Sequence, residues 1–139
     1  MIKKSVKREL TFPHPREDVW QALTDRAALA EWMFPNDFQA RVGHRCTFQV
    51  PPKPHVKFEG MTVECEVLKC LPPQELAFSW VAGTINTLIE YRLEALGAYT
   101  KVFFEQSGDF ESEHAAKGAE YGWDHMHGLL AALLKGEKR

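Results

Sequence analysis

Apolar and polar residues alternate at first and then shift to helical spacing. Lys3 to Thr11 carries the charge-rich alternation of a strand, with Ile2, Val6 and Leu10 as its few apolar positions, and Pro13-His14-Pro15 ends it. Arg16-Glu17-Asp18 then places acids in a first helical turn, and Val19, Trp20 and Leu23 follow at three- and four-residue spacing, which predicts a short amphipathic helix. Asp25 suits the N-cap of a second short helix carrying Leu29 and Trp32, which Pro35 stops. From Asp37 to Ser107 the period changes to that of strands. Six runs, Phe38–Val42, Arg45–Val50, Glu59–Lys69, Leu76–Val81, Ile85–Leu93 and Thr100–Ser107, are separated by Gly43, Pro51-Pro52-Lys53-Pro54, Pro72-Pro73, Ala82-Gly83 and Gly97. With the first strand they predict a seven-stranded antiparallel sheet.

Successive strand side chains point to opposite sheet faces, so the alternation assigns an inner and an outer set. The inner set is Met61, Val63, Cys65 and Val67; Leu76, Phe78 and Trp80; Ile85, Thr87, Ile89, Tyr91 and Leu93; and Val102, Phe104 and Gln106. Glu64, Glu66, Glu90, Glu94 and Glu105 fall on the other face, which is therefore the wet one. Ser112 to Lys135 returns to the helical period, with Ser112 as N-cap and Ala116, Ala119, Trp123, Met126, His127, Leu130 and Leu134 along one stripe. A helix of about 24 residues spans roughly 36 Å, comparable to the width of the sheet. The order of elements thus predicts an α+β domain whose curved sheet wraps one long C-terminal helix, with two short helices after the first strand. A sheet and a single rod fill space unevenly, and a cavity between them is the expected ligand site.

Composition narrows the class of partner. The 139 residues are 45% apolar and 12% aromatic, with 17 Lys+Arg against 19 Asp+Glu spread along the chain, so one core forms without staples and no basic stripe invites nucleic acid or an anionic membrane. Cys46, Cys65 and Cys70 contain no CxxC pair, no apolar stretch is long enough to span a bilayer, and the first residues lack the apolar core of a signal peptide. Together these features predict a cytoplasmic protein with reduced thiols, no cofactor and an oligomeric state that the sequence leaves open. His125 and His127 invite a metal reading, but residues two apart on a helix point roughly 200° apart, so no metal site is expected.

Several segments, in order, resemble one family. They are Val19-Trp20-Gln21-Ala22-Leu23-Thr24-Asp25; Leu29-Ala30-Glu31-Trp32 with Pro35; Arg41-Val42-Gly43 with Phe48; Gly60; Pro72-Pro73 leading to Leu76-Ala77-Phe78-Ser79-Trp80; Ser107-Gly108-Asp109-Phe110; and Gly122-Trp123. This pattern is similar to the START-like, SRPBCC-superfamily proteins of the group named after the activator of heat-shock-protein ATPase. The resemblance implies the helix-grip, or Bet v-like, fold over residues 1–139 as one domain. It leaves function open, since the superfamily includes ligand carriers, cyclases and co-chaperone domains.

The aromatics expected at the sheet-helix space are Trp32, Phe34, Phe48, Phe78, Trp80, Tyr91, Phe104 and Trp123, with Gly122 beside the last allowing close approach of a ligand or strand. Cys65 and Met126 join them, and Thr87, Tyr91, Gln106 and His127 are the polar groups able to hold the polar end of a mostly apolar molecule. Asp124, three residues before His127, is placed to pair with that imidazole. The leading expectation is binding of a small hydrophobic or amphipathic molecule. The alternatives are a protein-interaction module acting on a chaperone-like partner, and a cyclase- or hydratase-type enzyme using His127 and Tyr91 as acid-base groups.

Overall fold

The computed structural model describes residues 1–53, 55 and 58–136, so Pro54 of the predicted proline-rich break lies outside the described residues. The chain runs β1 (Ile2–Phe12), α1 (Arg16–Thr24), α2 (Arg26–Trp32), β2 (Arg45–Val50), β3 (Met61–Leu71), β4 (Glu75–Ala82), β5 (Ile85–Leu96), β6 (Tyr99–Phe110) and α3 (Glu113–Leu134). All strand pairs are antiparallel, in the order β1-β6-β5-β4-β3-β2. The curved sheet faces α3 with one side, while α1 and α2 pack against α3 from the N-terminal half of the chain.

Local chemistry fixes the element ends. Asp25 caps α2 by accepting the Ala28 N–H at 2.9 Å, and Ser112 caps α3 by accepting the Ala115 N–H at 3.1 Å. Both are the caps that the sequence predicts. β5 and β6 pair along their whole length, from Asn86 opposite Asp109 to Leu96 opposite Tyr99. Gly108 has φ +135°, and a Cβ there would sit 2.5 Å from the Asn86 carbonyl oxygen, so only glycine permits this approach of the two strands.

The described sheet has six strands and not seven, because Phe38–Val42 is not a strand. Asn36 makes one bridge to Phe48, after which the backbone turns on itself, with the Arg41 N–H bonded to Gln39 O at 2.9 Å and the His44 N–H to Arg41 O at 3.0 Å. Side chains replace the ladder here: Asp37 Oδ1 accepts the Thr47 N–H at 2.7 Å and Asn36 Oδ1 accepts the Phe38 N–H at 3.0 Å. Phe38 alone of this run's apolar residues is buried, and Val42 is 59% exposed.

The assigned sheet faces hold elsewhere, with one exception. Val63, Cys65, Val67, Leu76, Phe78, Trp80, Thr87, Ile89, Tyr91, Leu93, Val102, Phe104 and Gln106 are buried on the inner face. Met61 is 37% exposed, because it opens β3 opposite Val50 at the end of the β2–β3 ladder. On α3 the stripe Ala116, Trp123, Met126, His127 and Leu130 is buried.

Candidate functional site

The inner face of the sheet and the buried stripe of α3 bring the expected aromatics into one connected cluster. Phe48 packs on Phe78 at 6.3 Å between ring centroids and on Trp80 at 5.3 Å; Trp80 meets Trp123 at 5.4 Å, and Trp123 meets Phe104 at 4.8 Å. The His127 ring sits among Phe104 at 4.8 Å, Trp123 at 5.7 Å, Tyr91 at 5.9 Å and Trp32 at 6.1 Å. Met126 is buried beside this cluster on α3, and Phe34 is half-buried against the core. Cys65 is buried and stands across the β2–β3 ladder from Cys46. Phe38, not among the aromatics expected from the sequence, also belongs to the cluster, its ring 5.8 Å from Phe78 and 6.3 Å from Phe48; nothing in the local alternation marks that place.

The interior polar groups form two systems. In one, Trp123 donates its indole N–H to Gln106 Oε1 at 2.8 Å, Gln106 Nε2 donates to Thr87 Oγ1 at 3.1 Å, and Thr87 donates to the Trp80 carbonyl at 2.9 Å. The Trp32 indole is likewise met, by the Ala22 carbonyl at 2.8 Å. These groups satisfy one another, as buried polar groups must. In the other system Tyr91 Oη and His127 Nε2 lie 2.9 Å apart, and His127 Nδ1 is buried with no partner among the described residues.

Asp124 does not reach that nitrogen. Its carboxylate is engaged by Arg8 of β1, with Nε to Oδ1 at 2.7 Å and a second guanidinium nitrogen to Oδ2 at 3.2 Å, while Glu120 takes a third contact at 3.0 Å. The guanidinium holds the Asp124 carboxyl below its ordinary value. Burial dominates at the interior pair: it lowers the His127 imidazole to about 4, with Asp124 opposing and Arg8 reinforcing the shift, and it raises the Tyr91 phenol. Both groups are neutral at pH 7. At Gly122 a Cβ would meet nothing within 4 Å, so no strand approaches this position closely.

Two concavities bear on function. A cleft of about 450 Å³ runs between the end of β1 and α3, lined by Leu10, Thr11, Phe12, Pro13 and His14 on one side and by Asp124, His127, Gly128, Ala131 and Lys135 on the other. His14 contributes a second buried nitrogen without a partner, Nε2. In the sequence, Pro13-His14-Pro15 shows only as the end of a strand; its position against α3, more than 100 residues later, comes from the fold. The other concavity, about 530 Å³, lies on the wet sheet face among Lys69, Glu75, Ala77, Glu90, Arg92, Phe103 and Glu105. There the Arg92 guanidinium lies 4.0 Å above the Phe103 ring. We take the smaller cleft as the candidate site, because two of its lining residues, His14 and His127, carry buried nitrogens without a partner among the described residues, and no residue lining the larger one does. Among the described residues no cluster of His, Cys, Asp or Glu is arranged to hold a metal, and no helix is long and apolar enough to cross a membrane.

A curved antiparallel sheet gripping a C-terminal helix, with polar side chains set into an aromatic interior, defines the helix-grip class of α+β domains. The family model described as activator of Hsp90 ATPase homolog 1-like protein matches residues 13–135, and the chain belongs to this family. A search of the curated proteins finds no match. Among solved structures, the chain is similar to protein MLL2253 from Mesorhizobium loti, with 29% identity over 98% of this chain and 100% of that one, and a TM-score of 0.86. Protein CV1439 from Chromobacterium violaceum is 19% identical over 94% of this chain and 96% of that one, with a TM-score of 0.81. CalU16 from Micromonospora echinospora is 22% identical over 95% of this chain and 76% of that one, with a TM-score of 0.78.

Proposed function

We propose that the protein binds a small hydrophobic or amphipathic molecule between the sheet and α3, entering by the cleft beside β1. The observation that carries this reading is the cleft's contact with His127, a residue of the buried aromatic cluster, so that solvent-side space and aromatic interior meet at one side chain. The apolar lining of Leu10, Phe12 and Ala131 supplies the surface that such a ligand would cover. Native mass spectrometry of protein purified from cells, compared with the denatured mass, tests the reading by revealing a retained molecule. Trp123→Ala is expected to lower affinity for that molecule about tenfold, the loss of one large aromatic wall. Equal native and denatured masses, with no titrated apolar compound sensitive to Trp123→Ala, overturn it.

A second reading is favoured by the groove on the wet face, where Arg92, Phe103 and flanking charges form a mixed apolar and charged surface. The family description refers to activation of the Hsp90 ATPase, so the corresponding partner is a chaperone of that kind. On this reading Arg92→Glu and Phe103→Ala abolish pull-down of the chaperone, whereas Trp123→Ala leaves it intact.

A further inference from the structure

The hydrogen-bond inventory around His127 fixes which of its nitrogens carries the proton. Tyr91 is buried, and its hydroxyl has no partner among the described residues other than His127 Nε2. If Nε2 carried the proton and donated to Tyr91, the phenolic O–H would be a buried donor without an acceptor and Nδ1 a buried acceptor without a donor. If Tyr91 donates to a bare Nε2, only one group stays unmet, the Nδ1–H. Each buried polar group left without a partner is costly, so the tautomer that leaves one unmet and not two is the stable one. His127, 4% exposed, therefore presents a neutral N–H donor in a residue that lines the cleft.

We propose that the cleft between the β1 turn and α3 receives a neutral carbonyl group, whose oxygen accepts the Nδ1–H of His127. This rests on the ligand-binding reading above. Two neighbours decide against a carboxylate at this point. Asp124 lines the same cleft, and although Arg8 pairs with it, the carboxylate acts on His127 more strongly than the guanidinium does, so a second carboxylate is repelled; Lys135, the cleft's cation, lies eight residues on from His127, about 12 Å along the helix. His14 Nε2, unpartnered on the facing wall, offers the same ligand a second contact in its N–H form. Leu10, Phe12 and Ala131 suit the apolar remainder, so the class of ligand is an apolar ketone, ester or amide.

The experiment uses the full chain labelled with ¹⁵N, with 2-octanone, octane and octanoate as probes. In long-range ¹H–¹⁵N spectra of the free protein, His127 is expected in its Nδ1–H form; an Nε2–H form overturns the proposal. On titration, 2-octanone is expected to shift the Nδ1 resonance and to bind about tenfold more tightly than octane, the effect of one buried hydrogen bond. His127→Phe, which keeps an aromatic ring, is expected to erase that preference. Gly128→Leu tests the location independently of any change to the polar core. Its Cβ enters open space at the cleft wall, so folding is retained and 2-octanone binding falls about tenfold or more. Tighter binding of octanoate than of 2-octanone overturns the carbonyl assignment. Octane binding as well as 2-octanone, with Gly128→Leu blocking both, overturns the carbonyl contact and leaves the ligand-binding reading standing. If no probe moves a His127 or Trp123 resonance, both fall.

Discussion

Tyr91 on β5 and His127 on α3 are joined by a 2.9 Å hydrogen bond inside an aromatic shell, and this bond ties the middle of the sheet to the helix it grips. One polar contact therefore determines both how the helix is held and what the His127 ring presents to the cleft. It also bears on acid-base chemistry. Each group is neutral at pH 7 and occupied by the other, so an enzymatic role would require breaking the bond that holds them.

The depressed His127 value makes stability depend on pH. An exposed imidazole in the unfolded chain protonates near 6.5, whereas in the folded protein it does so only at about 4. The contribution is complete above the unfolded value and is lost as pH falls between the two. By linkage the loss amounts to about 3 kcal/mol for this one group. Urea denaturation at pH 7 and pH 4 should show it, and His127→Phe should flatten the difference between the two by that amount. An unchanged pH slope in the variant would place the titrating group elsewhere.

The Arg8 contacts to Asp124 and Glu120 are partly exposed, with side-chain accessibilities of 29% for Arg8 and 54% for Asp124, so they are worth little to stability. Arg8→Met is expected to cost less than about 1 kcal/mol in denaturant unfolding. Its electrostatic effect is larger. The Asp124 carboxyl should rise toward its ordinary value, and His127 should lose one of the influences that hold it down. Both directions are readable by NMR titration, and a His127 midpoint that moves downward would contradict the assignment. In wild-type protein, Asp124 adds stability above its unfolded value that disappears as pH falls through its lower folded one.

Gln106 is the hinge of the other polar system, receiving Trp123 and donating to Thr87. Gln106→Leu keeps the volume but strands the Trp123 N–H in an apolar interior, at an expected loss of about 1–3 kcal/mol in chemical denaturation. Replacing the indole as well, in Gln106→Leu with Trp123→Phe, removes the stranded donor and should recover part of that loss once the lost ring contacts are allowed for. Strictly additive losses would show that the bond contributes nothing.

The sequence shows those features whose determinants are local. Alternation placed Thr87, Tyr91 and Gln106 on the inner face, the spacing of Trp123 and His127 placed them on the buried stripe, and Asp25 and Ser112 signalled their helices. It misread Phe38–Val42, where Asp37 and Asn36 satisfy backbone groups with side chains, a competition that alternation of apolar residues does not register. The cleft was beyond it for a different reason. His14, Arg8 and His127 come together only when β1 pairs with β6 and α3 returns across both, and no local pattern encodes that return. The expected Asp124–His127 pair failed similarly, since Arg8, 116 residues before Asp124, outcompetes a neighbour on the same helix.

Glycine positions separate strain from slack within one fold. At Gly108 an added Cβ would lie 2.5 Å from the Asn86 carbonyl and 3.0 Å from the Thr87 Cα, both backbone atoms that cannot swing aside, and φ is +135°. Gly108→Ala must therefore push β5 and β6 apart where Thr87 stands opposite it, and it is expected to cost more than about 3 kcal/mol. Gly122 sits in the interior of α3 with open space where its Cβ would be. Gly122→Ala should stabilise the protein by about 0.5–1 kcal/mol through helix propensity alone. Thermal unfolding of the two variants under one set of conditions checks both signs. Because Thr87 belongs to the Gln106 chain, Gly108→Ala should also disturb the Trp123 indole resonance, which Gly122→Ala should shift far less. Equal small effects of both substitutions would mean that the β5–β6 ladder yields at Gly108, and with it that Thr87 is not held in place for Gln106.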